Sequence, residues 1–401
     1  MTTGSARQVV PPLPERLQQE RPHDSAGSAR GGVGRSGPVD HARARLVPHL
    51  QDWEDAGELP RELHRRAAAA GLLGIGFAEE VGGSGGDLRD LVLLTEAVIE
   101  AGGSSGVLAS LLTHHIAVPH MAAQGDPEQI RKFVAPTLAG EKIGSLGITE
   151  PDTGSDVAAI RTTARRDGDQ YVVNGAKLFI TSAVRADFVT TAVRTGGPGS
   201  SGISLLVVER GTAGFAVSRT LKKMGWLCSD TAELGFSDVR VPVANLVGPA
   251  GSGFLQIMQQ FQVERAFIAV QCYATAQRCL DLTLEWVKQR ETFGRPLSTR
   301  QVVRHKIVDM ATAVDVARTY TRAAVDRIVA GDTDVRMVAM AKNQSVEACA
   351  LAVDTAVQLY GGMGYLRETE VERHYRDSRI LGIGGGTTEI MKEIIAKRIG
   401  L

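Results

Sequence analysis

The 401-residue chain is poor in aromatics, at 5%, has only four cysteines and carries no net charge, since 45 Lys and Arg are matched by 45 Asp and Glu. Each shortage excludes something. Balanced charge interspersed along the chain gives no electrostatic reason to bind a polyanion, so nucleic acid is not an expected partner. Cys228, Cys272, Cys279 and Cys349 show no metal-type spacing, which points to reduced buried thiols and to no metal site. No apolar run reaches membrane-spanning length, and residues 1–39, rich in Gly, Pro, Ser and Arg, lack the apolar stretch of a signal peptide. A cytoplasmic protein without membrane insertion is therefore expected, with residues 1–39 as a flexible tail. The hydrophobic fraction of 43% excludes a disordered chain. At this length two or three packed regions are needed.

What is present divides the chain by pattern. Over residues 40–141 apolar side chains recur at helical steps, as in Leu46, Val47, Leu50 and Trp53, with turns at Gly57 to Pro60, Gly82 to Gly86 and Gly125 to Pro127. Over residues 142–248 short β-favouring runs take over: Tyr171 to Val173, Leu178 to Ile180, Phe188 to Thr191 and Ser204 to Val208. Asp167-Gly168 and Asn174-Gly175 supply the residues that tight hairpin turns need. Residues 249–401 are helical again. No Gly or Pro interrupts Phe254 to Phe293, which predicts one long helix, followed by helices over Arg300 to Val329 and Val335 to Tyr360. The class is α+β and multidomain, in the order helices, strands, helices.

Four stretches could carry chemistry. In Gly147 to Asp156, hydroxyls and glycine-exposed N–H groups offer uncharged donors to a phosphate or a heterocycle edge, or simply form a polar loop. In Gly382 to Ile390, three successive glycines permit close backbone approach to a ligand, and Thr387 is placed to cap a helix. Glu264, followed by Arg265, shares a helix face with Ile268, Gln271 and Cys272, where a carboxylate must be paired or hold its proton more tightly. Arg290 to Pro296 could hold a pyrophosphate or merely end a helix. His114, His115 and His120 lack partners at ligand spacing and read as structural.

In their order these segments resemble the acyl-CoA dehydrogenase family. The carriers are Ile148-Thr149-Glu150-Pro151 with Gly154-Ser155-Asp156, Asn174 to Thr181, Met224-Gly225-Trp226 with Ser229-Asp230-Thr231, Phe236 to Pro242, Arg290 to Gly294, Gln358 with Gly361 to Tyr365, and Gly385-Gly386-Thr387. The resemblance implies an N-terminal helical domain, a middle β-barrel-like domain and a C-terminal four-helix bundle. It implies FAD between them, and a homotetramer built as a dimer of dimers in which one subunit's bundle completes its neighbour's FAD site.

Carried over residue by residue, the resemblance assigns FAD contacts to Leu146, Ile148, Thr149, Gly154, Ser155, Phe179, Ile180 and Thr181. Arg290, Phe293, Gln301, Gln358, Gly361, Gly362, Thr387 and Glu389 complete that set. Substrate contacts fall on Ser155, Arg265, Gly385 and Gly386. Many members carry their catalytic Glu where this chain has Gly385, which cannot accept a proton. A subgroup resembling the long-chain and isovaleryl enzymes places it on the long helix before an Arg, and Glu264-Arg265 fits that pattern. The implied reaction converts an acyl-CoA to its trans-2-enoyl thioester, by α-proton removal to Glu264 and β-hydride transfer to flavin N5. Electrons then pass to an electron-transferring flavoprotein or similar acceptor. Other readings on the same architecture are an oxidase, a flavin monooxygenase, a dehydrogenase of carrier-protein-tethered acyl groups, and a non-catalytic flavoprotein.

Overall fold

Capping and hydrophobic spacing set up the N-terminal helices. These include α1 (Leu50–Ala56), α2 (Arg61–Ala69), α3 (Leu88–Glu100) and α4 (Ser105–Leu111). The start of α3 is a reciprocal capping box: the Arg89 N–H donates to the Asp87 carboxylate and the Asp87 N–H to that of Asp90. Leu91, Val98 and Ile99 then lie on its buried face and join a core shared with Ala266, Val270 and Tyr273 of the long helix. The structure is a computed structural model that describes residues 36–401, of which residues 38–401 form one unit. The tail expected over residues 1–39 lies outside the described residues as far as residue 35.

The middle region forms one sheet of eight strands: β1 (Gly144–Gly147), β2 (Thr163–Asp167), β3 (Gln170–Thr181), β4 (Phe188–Arg194), β5 (Ile203–Glu209), β6 (Phe215–Thr220), β7 (Thr231–Pro242) and β8 (Leu246–Val247). Their order is β6-β7-β3-β2-β4-β5-β8, with β1 parallel beside β4. The expected β-barrel is thus corrected to an open mixed sheet, because β6 and β8 are both edges and do not pair. The cause is visible in the side chains. β6 is largely exposed and β8 is two residues long, while alternate residues of β5, Leu205 and Val207, pack against Phe254, Met258 and Phe261 of the long helix. The long helix covers one face of the sheet, while on the other face Val173, Val189, Leu206 and Leu234 pack strand against strand without the edges meeting.

The two hairpin signals have different outcomes. Asp167-Gly168 turns β2 into β3, with Gly168 at φ +63°. Asn174-Gly175 instead lies inside the twelve-residue β3, at a register shift against β7. There Asn174 exchanges hydrogen bonds with Asp238 on β7, and a β-carbon on Gly175 would stand 2.7 Å from Thr162 Cα. Close approach of Thr162 is what demands glycine, so the dipeptide makes a bulge and the two expected runs are one strand.

The C-terminal helices are α5 (Gly253–Gln289), α6 (Gln301–Val329), α7 (Val335–Tyr360), α8 (Glu370–Ser378) and α9 (Thr388–Ile399). The long helix stops at Gln289 rather than Phe293 because Arg290 turns extended. Glu291–Thr292 and Arg295–Pro296 then form a small hairpin whose corner, Phe293-Gly294, has both residues at positive φ. α5 and α7 pack through small and thiol side chains, among them Cys272, Cys279, Cys349, Ala352 and Ala356. All four cysteines are free and buried. Among the described residues no helix is long and apolar enough to cross a membrane.

Candidate active site

Glu264 lies in the fourth turn of α5, half-buried, with Arg265 buried beside it. Burial raises the proton affinity of its carboxyl, opposed first by the charge of Lys342 and then by that of Arg265. Across from it runs the loop Gly384-Gly385-Gly386. A β-carbon on Gly385 would stand 3.6 Å from Glu264 Oε1 and 2.7 Å from Ile268 Cδ1, and Gly385 and Gly386 both have positive φ. The loop is therefore glycine for two reasons, conformation and close packing against α5.

That loop is tied by its carbonyls. Arg265 Nε donates to Gly385 O at 3.0 Å, and the Lys342 ammonium on α7 donates to Gly384 O at 2.5 Å and to Gly386 O. Thr387 caps α9, accepting from the Ile390 N–H, and Glu389 is exposed in its first turn. Beside Arg265 a cavity of about 510 Å³ opens between α5 and α9, lined by Met258, Gln262, Arg265, Ile394, Lys397 and Arg398. Its basic rim suits an anionic ligand.

A second group of candidates sits on β1, the loop that follows it and the C-terminal end of β3. Leu146 and Ile148 are buried or nearly so, Thr149 and Thr181 are half-buried, and Gly154 and Ser155 are exposed. Ile180 is in the sheet core. Phe179 is 63% exposed with φ +63°, at a bulge of β3, so an aromatic face is held out of the sheet by a backbone conformation that few residues adopt. The loop before it is pinned from beneath: buried Lys177 donates to Ile148 O and to Glu150, whose carboxylate also accepts from the Arg161 and Thr162 N–H groups. Thr113 shares a hydrogen bond with Ser182 at the end of β3, and the carbonyl of His115 accepts from Gln260, one turn before Glu264. This segment links the two groups.

The third group is remote. Arg290, Phe293 and Gln301 are exposed, Phe293 at 96%, as are Gln358, Gly361 and Gly362. They neighbour one another, since Trp286 stacks on Tyr360 and donates to Leu359 O. At 1.5 Å per residue, however, Arg290 lies ~39 Å along α5 from Glu264. One flavin cannot span that within a single chain.

Sequence reasoning missed the buried pins. Lys177 was legible only as part of a motif, and Lys342 not at all, although a lysine directly after the apolar run Val338 to Ala341 is a signal of a buried charge with a task. The histidines expected to be structural are packed as neutral rings; His114 Nε2 lies 2.8 Å from Leu73 O.

An acid on a long helix facing a glycine loop, together with a strand end that presents an aromatic ring and hydroxyls, defines a scaffold of the flavin oxidoreductase class. Comparison with known proteins then fixes the family. Models of the acyl-CoA dehydrogenase N-terminal, middle and C-terminal domains match residues 37–141, 145–239 and 251–400. A crystal structure of a probable acyl-CoA dehydrogenase from Mycobacterium abscessus is 64% identical with TM-score 0.89, covering 90% of this chain and 98% of that one. The long-chain specific acyl-CoA dehydrogenase, mitochondrial, of Sus scrofa is 38% identical over 88% of this chain and 83% of its own length. A solved FAD complex of PigA is 28% identical with TM-score 0.86, covering 94% of this chain and all of that one. The chain belongs to the acyl-CoA dehydrogenase family and is an FAD-dependent oxidoreductase.

The expected cytoplasmic location is corrected by these relatives, since the long-chain enzymes of pig, mouse and rat are mitochondrial. Composition and buried thiols read a reducing environment and not an address. The residues present fit FAD. Phe179 offers a ring face, Thr149 and Thr181 offer hydroxyls, and among the described residues the N–H groups of Gly385, Gly386 and Thr387 meet no protein acceptor.

Proposed function

We propose that the chain oxidises an acyl-CoA to the trans-2-enoyl thioester, with Glu264 as the base, in the manner of the long-chain and isovaleryl subgroup. The observation that carries the reading is the position of the Glu264 carboxyl oxygen against Gly385. A carboxyl from α5 there occupies the place that a side chain on the loop would otherwise enter. Raised proton affinity suits a base that must take a weakly acidic α-proton. The N–H of Gly385 donates to the thioester oxygen and stabilises charge as the proton leaves. Lys397 and Arg398 along the cavity receive the anionic end of the CoA, and Arg265, bonded to Gly385 O, borders the thioester end.

Leu146, Ile148, Thr149, Gly154, Ser155, Phe179, Ile180, Thr181, Thr387 and Glu389 hold FAD from the same chain. Arg290, Phe293, Gln301, Gln358, Gly361 and Gly362 reach a cofactor in another copy within a homotetramer. FAD, when bound, accepts the β-hydride. An electron-transferring flavoprotein or similar acceptor takes the electrons onward.

The test is anaerobic mixing of the holoenzyme with straight and branched acyl-CoAs. Bleaching of the flavin by at least one ester is the expected result. Failure of the whole panel would reject the reading, and bleaching by carrier-bound acyl groups alone would replace the CoA ester as substrate.

A further inference from the structure

Lys342 is the least expected charged group in the bundle. It stands in the third turn of α7, 1% exposed, between Val338 and Ser345, and its ammonium reaches the glycine loop instead of a carboxylate. Burying an ammonium without a counter-ion costs several kcal/mol, so its retention asks for a task.

The task follows from peptide geometry. The carbonyl of Gly384 and the N–H of Gly385 belong to one planar trans unit and point in opposite directions. Because Gly384 O is drawn to Lys342 at 2.5 Å, the Gly385 N–H is turned away from α7. The carbonyl of Gly386 is drawn to the same ammonium, which turns the Thr387 N–H likewise, while Gly385 O is taken by Arg265 at 3.0 Å. All three carbonyls of a loop with two left-handed glycines are thereby spoken for by two buried cations. A positive donor on a carbonyl also polarises that peptide and makes its N–H a stronger donor.

We infer that Lys342 is the positioning residue of the thioester site: by holding the carbonyls of Gly384 and Gly386 from the α7 side, it aims and strengthens the Gly385 N–H that binds the thioester oxygen. The inference rests on the acyl thioester reading above. The same ammonium acts on the base. The ionisable groups that face it are Glu264, Arg265 and Cys272, all on α5, and its charge is the largest influence opposing the rise in Glu264 proton affinity. Burial itself holds Lys342 at about 8. Lys342 therefore serves both halves of the proposed chemistry without touching substrate.

The test reads the thioester carbonyl directly. The trans-2-enoyl-CoA corresponding to the best substrate, carbon-13-labelled at C1, is bound to oxidised holoenzyme and its carbonyl stretch is followed by infrared difference spectroscopy. In wild type and in Glu264→Gln the stretch is expected well below that of free ester. In Lys342→Met at least half of that shift disappears. Flavin reduction in this variant falls about 10²-fold, the size of losing one oxyanion donor. The acid limb of its pH profile moves up by about one unit, because Glu264 has lost a neighbouring cation.

Lys342→Gln, which keeps a donor but no charge, is expected to retain most of the carbonyl shift and to show the same movement of the acid limb. A folded, FAD-loaded Lys342→Met enzyme with the wild-type stretch and pH limb overturns the inference alone. If neither variant folds, the wild-type stretch decides: above about pH 8 it must rise by the minor part of its shift that Lys342→Gln would lose, because deprotonation removes the charge and leaves a donor, and a stretch constant to pH 9.5 overturns the inference. Absence of bleaching by any acyl-CoA in the wild type overturns the functional reading, and this inference with it.

Discussion

Glu264 sets Oε1 3.6 Å from the point where a β-carbon on Gly385 would stand, so a carboxyl from α5 and the absence of a side chain on the loop are two parts of one arrangement. Replacing Glu264 by Gln keeps the volume and removes the base. FAD is expected to remain bound, and anaerobic flavin reduction by a good acyl-CoA to slow by about 10³- to 10⁴-fold, at the upper end of general-base contributions. Reduction at more than a tenth of the wild-type rate in rapid mixing would exclude Glu264.

Moving the acid to the loop does not repair this loss. Glu264→Gln with Gly385→Glu puts a side chain at φ +64°, a strain of about 1–3 kcal/mol, and drives its Cβ to 2.7 Å from Ile268 Cδ1. The double variant is expected to recover little activity, and adding Ile268→Ala to recover more by opening that space. Equal rates for the two, measured by flavin reduction, would show that Ile268 does not restrict the loop.

What could be read from the chain beforehand follows residue chemistry. Glu264-Arg265 stood out because an acid is rare on an apolar helix face, and the glycine run because its permissiveness is local. Closure of the sheet was not legible: it depends on whether β6 meets β8, two edges that lie five strands apart in the sheet and are placed by tertiary packing. The strand bulge at Asn174-Gly175 was hidden for a similar reason, since its partners Thr162 and Asp238 come from other strands. Lys342 escaped because its acceptors are main-chain carbonyls 42 and 44 residues away, which leave no mark in the composition around it.

The pin beneath the loop after β1 gives a stability prediction. Lys177 and Glu150 are both buried, 2.8 Å apart, and removing one partner leaves the other charged and alone. Lys177→Met is expected to cost about 3–5 kcal/mol in urea unfolding and to release FAD at lower temperature than wild type. The double change Lys177→Met, Glu150→Gln should be less harmful than the single one. A single variant as stable as wild type would mean that water reaches the pair.

Acid should unfold the protein through its histidines. His64, His115 and His120 are held at about 4 and His114 well below the ordinary range, because burial disfavours the charged ring. Between pH 4 and 6.5 the unfolded chain binds more protons than the folded one, so unfolding free energy falls as pH drops through that window, by at most about 1.4 kcal/mol per histidine per pH unit. Urea titrations at pH 7.5, 6 and 5 check this. A flat profile, or one unaltered by His120→Gln, would remove the histidines as the cause.

The distance along α5 gives a test of how copies cooperate. If Arg290 serves a flavin in another copy while Glu264 serves its own, the two defects are separable across subunits. Glu264→Gln and Arg290→Glu should each be inactive alone, the second through weak FAD retention. Unfolding and refolding an equal mixture should restore activity, because a pair with one defect on each chain assembles one site with both groups intact. Random pairing predicts recovery of about a quarter of wild-type activity, one site in each of half the pairs. If the mixture stays inactive although hybrids form, as detected by differently tagged chains, Arg290 and Glu264 do not serve the same site from opposite subunits, and the exposed group at the end of α5 has another use.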